Sequence, residues 1–283
     1  MDNLPAIRYI MPSYQQKSYQ TNFIIPINKV LSLDYPSNPV YNTSKNLYKH
    51  KGEFPPMKDE CLICKAPLEY LEEDVLMVCA VCHKEEYSKT RCVNGHYVCS
   101  ECHTKGMDAV IGICLQEGSK NPVEIMEKLM SMPFCHMHGP EHHVMVGAAL
   151  LTAYKNAGGD LELDKALSEM YRRGKEVPGG VCGFWGACGA GISSGIYMSI
   201  ATKATPLATK VWGLSNLMTS ASLGKIGEIG GPRCCKRNSY TAILEAVRFT
   251  KEHLGVEMET HEIICSRSDM NNQCLNTACP YHK

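Results

Sequence analysis

Apolar positions recur at helical spacing through most of the chain beyond residue 105. The clearest case is 238–254. There Ile243, Ala246, Val247 and Leu254 share one face, and Gly255 supplies a stop. Residues 107–115 and 122–132 also read as helices, the second with a proline in its first turn. Residues 143–154 predict an apolar helix ending near Gly158 and Gly159, and 161–173 an amphipathic one closing at Gly174. Segments 188–202 and 209–223 are rich in small residues, which predicts close helix packing. The only strand signal is upstream, where 67–78 can form a hairpin. The fold class these patterns predict is mainly α, a helical domain preceded by a small module.

The stretch 178–202 carries no charge and is long enough to span a bilayer. Its seven glycines and two cysteines dilute the apolar character, so we expect a buried helix there and no membrane span. Residues 1–58 are polar, with several prolines and no sustained period, and read as a poorly ordered extension. The remaining divisions are a metal module at 59–104, the helical domain at 105–262 and a cysteine-bearing tail at 263–283.

Composition changes this picture in one respect. Sixteen cysteines are present, while Lys+Arg and Asp+Glu balance at 29 each and aromatics are 7%. The neutral balance gives no push toward nucleic acid. No basic stretch followed by an apolar one opens the sequence, so a cytoplasmic protein is expected. In reducing surroundings, cysteines in short Cys-x2-Cys groups point to metal rather than disulfides.

The densest run is Cys61-x2-Cys64, Cys79-x2-Cys82, Cys92-x3-His96 and Cys99-x2-Cys102. Eight soft ligands in four pairs suit two tetrahedral, structural Zn2+ ions. The segment 91–103 resembles the treble-clef knuckles of ubiquitin-ligase-type fingers, and the hairpin before it resembles a zinc ribbon. Both pairings remain open: sequential pairs, or an interleaved cross-brace. His83 and His103 are spare ligands.

Three further constellations each adjoin a glycine-rich turn before an expected helix. The first, 133–143, holds Cys135, His136, His138, Glu141, His142 and His143. The second, 179–195, holds Cys182 and Cys188. The third, 230–238, holds Cys234 and Cys235. Helix N-termini of this kind stabilise thiolates and anions. Plainer readings stand beside this one. Cys182 and Cys188 also suit small core positions. The histidine group also suits a surface loop or a zinc site with Cys135, and Lys236 and Arg237 a solvated helix start. Met126, Met130, Trp185 and Trp212 read as packing residues. In the tail, Cys265, Cys274 and Cys279 are metal-ligand candidates, the last followed by proline as at many iron–sulfur ligands.

The motifs GACGAGISSGI and CCKRNSYTAILEAVRF resemble the catalytic domain of the iron–sulfur serine dehydratases and cysteine desulfidases, across roughly 133–254. The whole chain is closer to a cysteine-rich family of unknown function from anaerobes, sometimes labelled as methyltransferases. The dehydratase resemblance implies a [4Fe-4S] cluster, with Cys182 and Cys188 at the paired ligands and His143 where that family has a cysteine. Cys235 would join the cofactor group. A cluster with three protein ligands leaves one iron open to act as a Lewis acid. Lys236 and Arg237 would then hold a substrate carboxylate, and Glu141 or His142 would move a proton. Ser193, Ser194 and Asn238 would touch substrate. A tail cysteine would visit the open iron, or build its own zinc or cluster site. The expected function is an iron–sulfur-dependent, lyase-like enzyme on a small polar substrate. The rival is a zinc-binding adaptor docking a protein partner such as a methyltransferase. A self-contained methyltransferase lacks the expected glycine-rich turn after a strand.

Overall fold

The computed structural model describes residues 61–64 and 66–283. The expectation for residues 1–58 lies outside them. The described chain packs within one compact unit.

Two antiparallel strands come first, β1 Leu68–Val78 and β2 Glu85–Cys92. The register runs from Leu68 opposite Cys92 to Val78 opposite Glu85, with a bulge between Tyr70 and Val75. A four-residue helix, α1 Ser100–His103, closes this module.

From Ala109 to Leu254 the chain is mainly helical, as the periodicity predicts, and the tail beyond holds only short 3-10 turns at Ser268–Met270 and Asn276–Ala278. The helices are α2 Ala109–Leu115, α3 Pro122–Met130, α4 His142–Asn156, α5 Leu163–Lys175, α6 Cys182–Trp185, α7 Gly189–Ala201, α8 Lys210–Ile229 and α9 Cys235–Leu254. The Asn121 side chain caps α3 by accepting from the Val123 and Glu124 N–H groups, and Pro122 occupies the first turn. Gly255, at φ 68°, ends α9.

Helix α4 is the axis of the fold. Every residue from His142 to Tyr154 is buried. Helices α2, α3, α5, α7 and α9 all pack on it. An evenly apolar helix has no solvent face, so it must be enclosed. Helix α5 has one apolar stripe through Ala166, Leu167 and Met170, and buries only that. Met126 and Met130 fill the core, as expected.

Three local expectations are corrected. Gly174 does not stop α5 but lies inside it, where a Cβ would come within 2.7 Å of Val144 Cγ2 and 3.0 Å of the His143 carbonyl. It permits the helix crossing. Helix α8 runs on to Ile229, beyond the expected 223: it passes through Gly224 and Gly227, both at negative φ, and ends only at Gly230, whose φ is 80°. Trp185 and Trp212 are not packing residues: they are 61% and 52% exposed, on the short α6 and at the start of α8. Among the described residues, no helix is long and apolar enough to cross a membrane.

Candidate metal centres and a buried polar cluster

The hairpin resolves the ligand pairing. Cys61 and Cys64 precede β1 and Cys92 ends β2, so antiparallel pairing brings them to one end with His96. Cys79 and Cys82 lie at the turn, and a bridge from Cys79 to Tyr97 draws Cys99 and Cys102 to them. The groups therefore interleave, 61/64/92/96 and 79/82/99/102, with the ligand atoms of each inside 4.8 Å. Of the two pairings the sequence leaves open, this is the cross-brace.

The spacing suits a single ion in each group. Cys64 and Cys92 sulfurs are 3.8 Å apart, and those of Cys82 and Cys99 3.6 Å. A tetrahedron with metal–sulfur bonds of ~2.3 Å has edges of about 3.8 Å. His96 Nδ1 lies 3.2 Å from Cys64 Sγ and 3.6 Å from Cys92 Sγ. Backbone N–H groups already point at the sulfurs, from Ile63 to Cys61 and from Val81 and Cys99 to Cys79. The Ala66 N–H, then Asn94, lower the Cys64 thiol to about 6. Burial pushes Cys79 up, but N–H donors from Cys82, Cys99 and Val81 outweigh it and bring it to about 6. Burial raises Cys61, Cys99 and Cys102. Both donor sets fit a soft or borderline metal ion.

A third group joins Cys135, Glu141 and His142, at the mouth of α4. Lys236, only 2% exposed, reaches into it from the first turn of α9. Its amine donates to Cys135 Sγ at 2.9 Å, to the His136 carbonyl at 2.7 Å and to His142 Nε2 at 3.0 Å. Three N–H donors thus meet three acceptors. His142 Nδ1 lies 3.0 Å from the Gly139 carbonyl and donates to it, so Nε2 is free to accept. Burial, then Lys236, holds this imidazole well below its ordinary range, so it is neutral. Burial also raises the Cys135 thiol, against the pull of Lys236. Here a lysine amine occupies the cation position between sulfur and nitrogen.

Glu141 is fully buried, and accepts from the His136 N–H at 2.8 Å. Its other oxygen faces His103 Nδ1 of α1 at 3.3 Å, a contact without hydrogen-bond alignment. Burial pushes this carboxyl up, but the contact with His103, the largest opposing influence, helps to lower it to about 2. His103, a spare ligand by sequence, is therefore one of the module's contacts with the helical part, beside Ser100 with Gly179 and Tyr70 with Phe184.

The N-terminal ends of α4, α7 and α9 meet beside this cluster. The His143 ring lies directly against Gly189, leaving no room for a Cβ, and its Nδ1 donates to the Val177 carbonyl at 2.9 Å. Cys188 caps α7 and accepts from Asn238 Nδ2 at 3.2 Å. Burial raises its thiol, and neighbouring Cys182 adds to that. Cys235 is pushed up to about 12 by burial, with Cys188 adding and the Gly139 N–H opposing. Cys182, Cys188 and Cys235 are thus electrostatic neighbours beside the histidine segment. They do not form a group gathered within 4.8 Å among the described residues.

Other sequence-derived candidates have different surroundings. Arg237 is 3% exposed, and its guanidinium donates to the Gly230 and Pro232 carbonyls, pinning the loop before α9. Burial of Lys236 and Arg237 rules out a solvated helix start. Ser193 accepts from the Gly147 N–H, and Ser194 donates to Ser222, so both bridge helices rather than face substrate. Cys265, Cys274 and Cys279 line a small cavity together with Cys234. Sequence reasoning placed Cys235 at the cofactor and passed over Cys234. Cys234 is the N-cap, with an extended backbone, and Cys235 the first helical residue, and this change of backbone separates them.

A cleft of ≈ 680 Å³ lies between the module, the segment 136–140 and the tail. His103, His136, Arg233 and Asn271 are among its walls. This size suits a small molecule.

The fold and sites define a helical protein with a buried ionisable cluster and two four-residue Cys/His groups that could each hold a metal ion. The chain belongs to the family of unknown function DUF5714, whose model matches residues 110–282. No curated protein and no solved structure matches it, so the dehydratase likeness finds no counterpart there.

Proposed function

We propose that this protein is a zinc-stabilised, iron–sulfur-dependent enzyme of the lyase kind, acting on a small hydroxyl- or thiol-bearing substrate in the cleft. The observation that carries the reading is the buried contact of Cys135, Glu141, His142 and Lys236 behind the cleft wall. Burying four ionisable groups together costs stability, and such arrangements concentrate at functional sites.

The residues divide the work. His103 lines the cleft and touches Glu141, whose Oε1 lies 3.6 Å from His142 Nδ1. His103 thus stands between the cleft and the buried carboxylate. His142 and Lys236 hold that carboxylate's surroundings polar but closed to water. Cys182, Cys188 and Cys235, with His143 beside them, are the residues to hold a cluster. Such a cluster, with one iron open, supplies Lewis-acid activation of a leaving group. The cross-brace groups hold zinc and keep the cleft wall in place.

The test is anaerobic purification with zinc, iron and sulfide counted, then incubation with L-serine and L-cysteine, following ammonia and sulfide release. Brown protein with activity lost in Cys182→Ser supports the reading. Colourless protein with two zinc ions and no turnover favours an adaptor. One observation favours that second reading: Leu76 and Tyr87 face each other across the hairpin, both exposed.

A further inference from the structure

The tail cysteines and Cys234 surround one cavity, separate from the Cys182–Cys188–Cys235 side. Cys234 caps α9, while Cys235 follows it by one residue and faces Cys188 instead. The tail returns across the start of α9 and presents Cys265, Cys274 and Cys279 to the same cavity. Its path is fixed by the Cys265 N–H donating to the Tyr281 carbonyl at 2.7 Å, and by Tyr281 against Thr241 at 3.0 Å.

We propose that Cys234, Cys265, Cys274 and Cys279 bind an iron–sulfur cluster through four thiolates. This site goes beyond the proposed lyase centre and does not depend on it.

Three observations support a cluster over a single ion. First, among the described residues, no three of these sulfurs lie within 4.8 Å of one another, unlike the two zinc-type groups. A single ion needs edges of about 3.8 Å. A cluster spreads its thiolates over several irons, so that most sulfur pairs stand roughly 6 Å apart. Second, Tyr240 lines the cavity, is 1% exposed, and its hydroxyl has no hydrogen-bond partner. A buried hydroxyl without a partner is costly, and a cluster sulfide is a suitable acceptor. Third, the surroundings suit an anionic group. Lys236, Arg237 and Arg267 all border the cavity. N–H donors already face the sulfurs, from Arg237 and Asn271 to Cys234 at 3.4 Å each, and from Asn276 to Cys274 at 3.3 Å. Such donors tune cluster potentials. Four protein thiolates leave no iron open, so this cluster holds the tail and accepts no substrate.

The test uses the full chain, expressed and purified anaerobically, with zinc, iron and acid-labile sulfide counted. The Cys182→Ser/Cys188→Ser variant should retain two to four irons, with equal sulfide, at the tail site. The Cys265→Ser/Cys279→Ser variant should lose about that number while keeping both zinc ions. Thiol alkylation with mass spectrometry reads the site without relying on variants: Cys234, Cys265, Cys274 and Cys279 should be protected until the cluster is removed by acid or oxidation. Protection with iron and sulfide establishes the proposal. It is overturned if the tail variant keeps all its iron, if it loses zinc alone, or if the four thiols alkylate freely in iron-loaded protein. Loss of the lyase centre alone leaves the tail counts unchanged, so the two readings fail separately.

Discussion

Lys236 is held by acceptors rather than by a counter-charge. Replacing it with methionine keeps the stem and removes three donors at once. The Cys135 sulfur, His142 Nε2 and the His136 carbonyl then lose a partner. We expect Lys236→Met to destabilise the fold by about 1–3 kcal/mol in denaturant titration, the cost of unsatisfied buried groups. A neutral result would mean that water replaces the amine. Glu141 gives a pH signature. Its folded-state carboxyl lies at about 2, below the ordinary 4.5. A depressed carboxyl contributes stability above its unfolded value and loses it as pH falls through the folded one. Between pH 4.5 and 2, wild-type stability should therefore fall more steeply than that of Glu141→Gln. Parallel curves would remove this carboxylate from the account. Both residues and their partners stand out in the sequence, but the pairing between them does not. Nothing in local spacing joins Lys236 to Cys135, about a hundred residues earlier, since that contact exists only when α4 and α9 meet.

Elements were more legible than contacts. Periodicity located the helices because the core-facing stripe of α5 and the stop at Gly255 are local properties. It erred at Gly174, where glycine serves a neighbouring helix rather than its own. The two roles can be separated by experiment. Gly112, in the middle of α2, has open space around it, whereas Gly174 has Val144 and a backbone carbonyl within about 3 Å. Gly112→Ala should raise the thermal midpoint slightly, by up to about 1 kcal/mol of helix propensity. Gly174→Ala should lower it, by a net cost on the order of 1 kcal/mol, because overpacking exceeds that propensity gain. Equal effects would show that the α4–α5 crossing has slack. The ligand pairing was likewise undecidable from spacing, since both arrangements use the same four pairs. The strand register decides it.

At the scale of the whole molecule, the module and the helical part should depend on metal to different extents. The module's buried apolar cluster is Met77, Cys79, Tyr97 and Cys99, too little to hold a fold without metal. Chelation should unfold residues 61–104, seen as loss of dispersed amide signals, while the α4-centred core stays folded. A module that keeps its spectrum after complete zinc removal would contradict this. Cys79→Ser should lower soluble yield, whereas Cys182→Ser should leave yield intact.

The strap that runs from α9 back to Tyr281 also has a consequence for the order of synthesis. The Tyr281 hydroxyl and carbonyl meet Thr241 and Cys265, and its ring packs edge-on to Tyr240 at the base of α9. A ribosome emits the cross-brace ligands some 180 residues before that tyrosine. The amino-side module can therefore acquire its ions and close while the helical core is still growing. The core cannot be sealed over α9 until the strap has left the exit tunnel. On the two metal sites proposed above, metal supply to the nascent chain would fall into an early and a late phase.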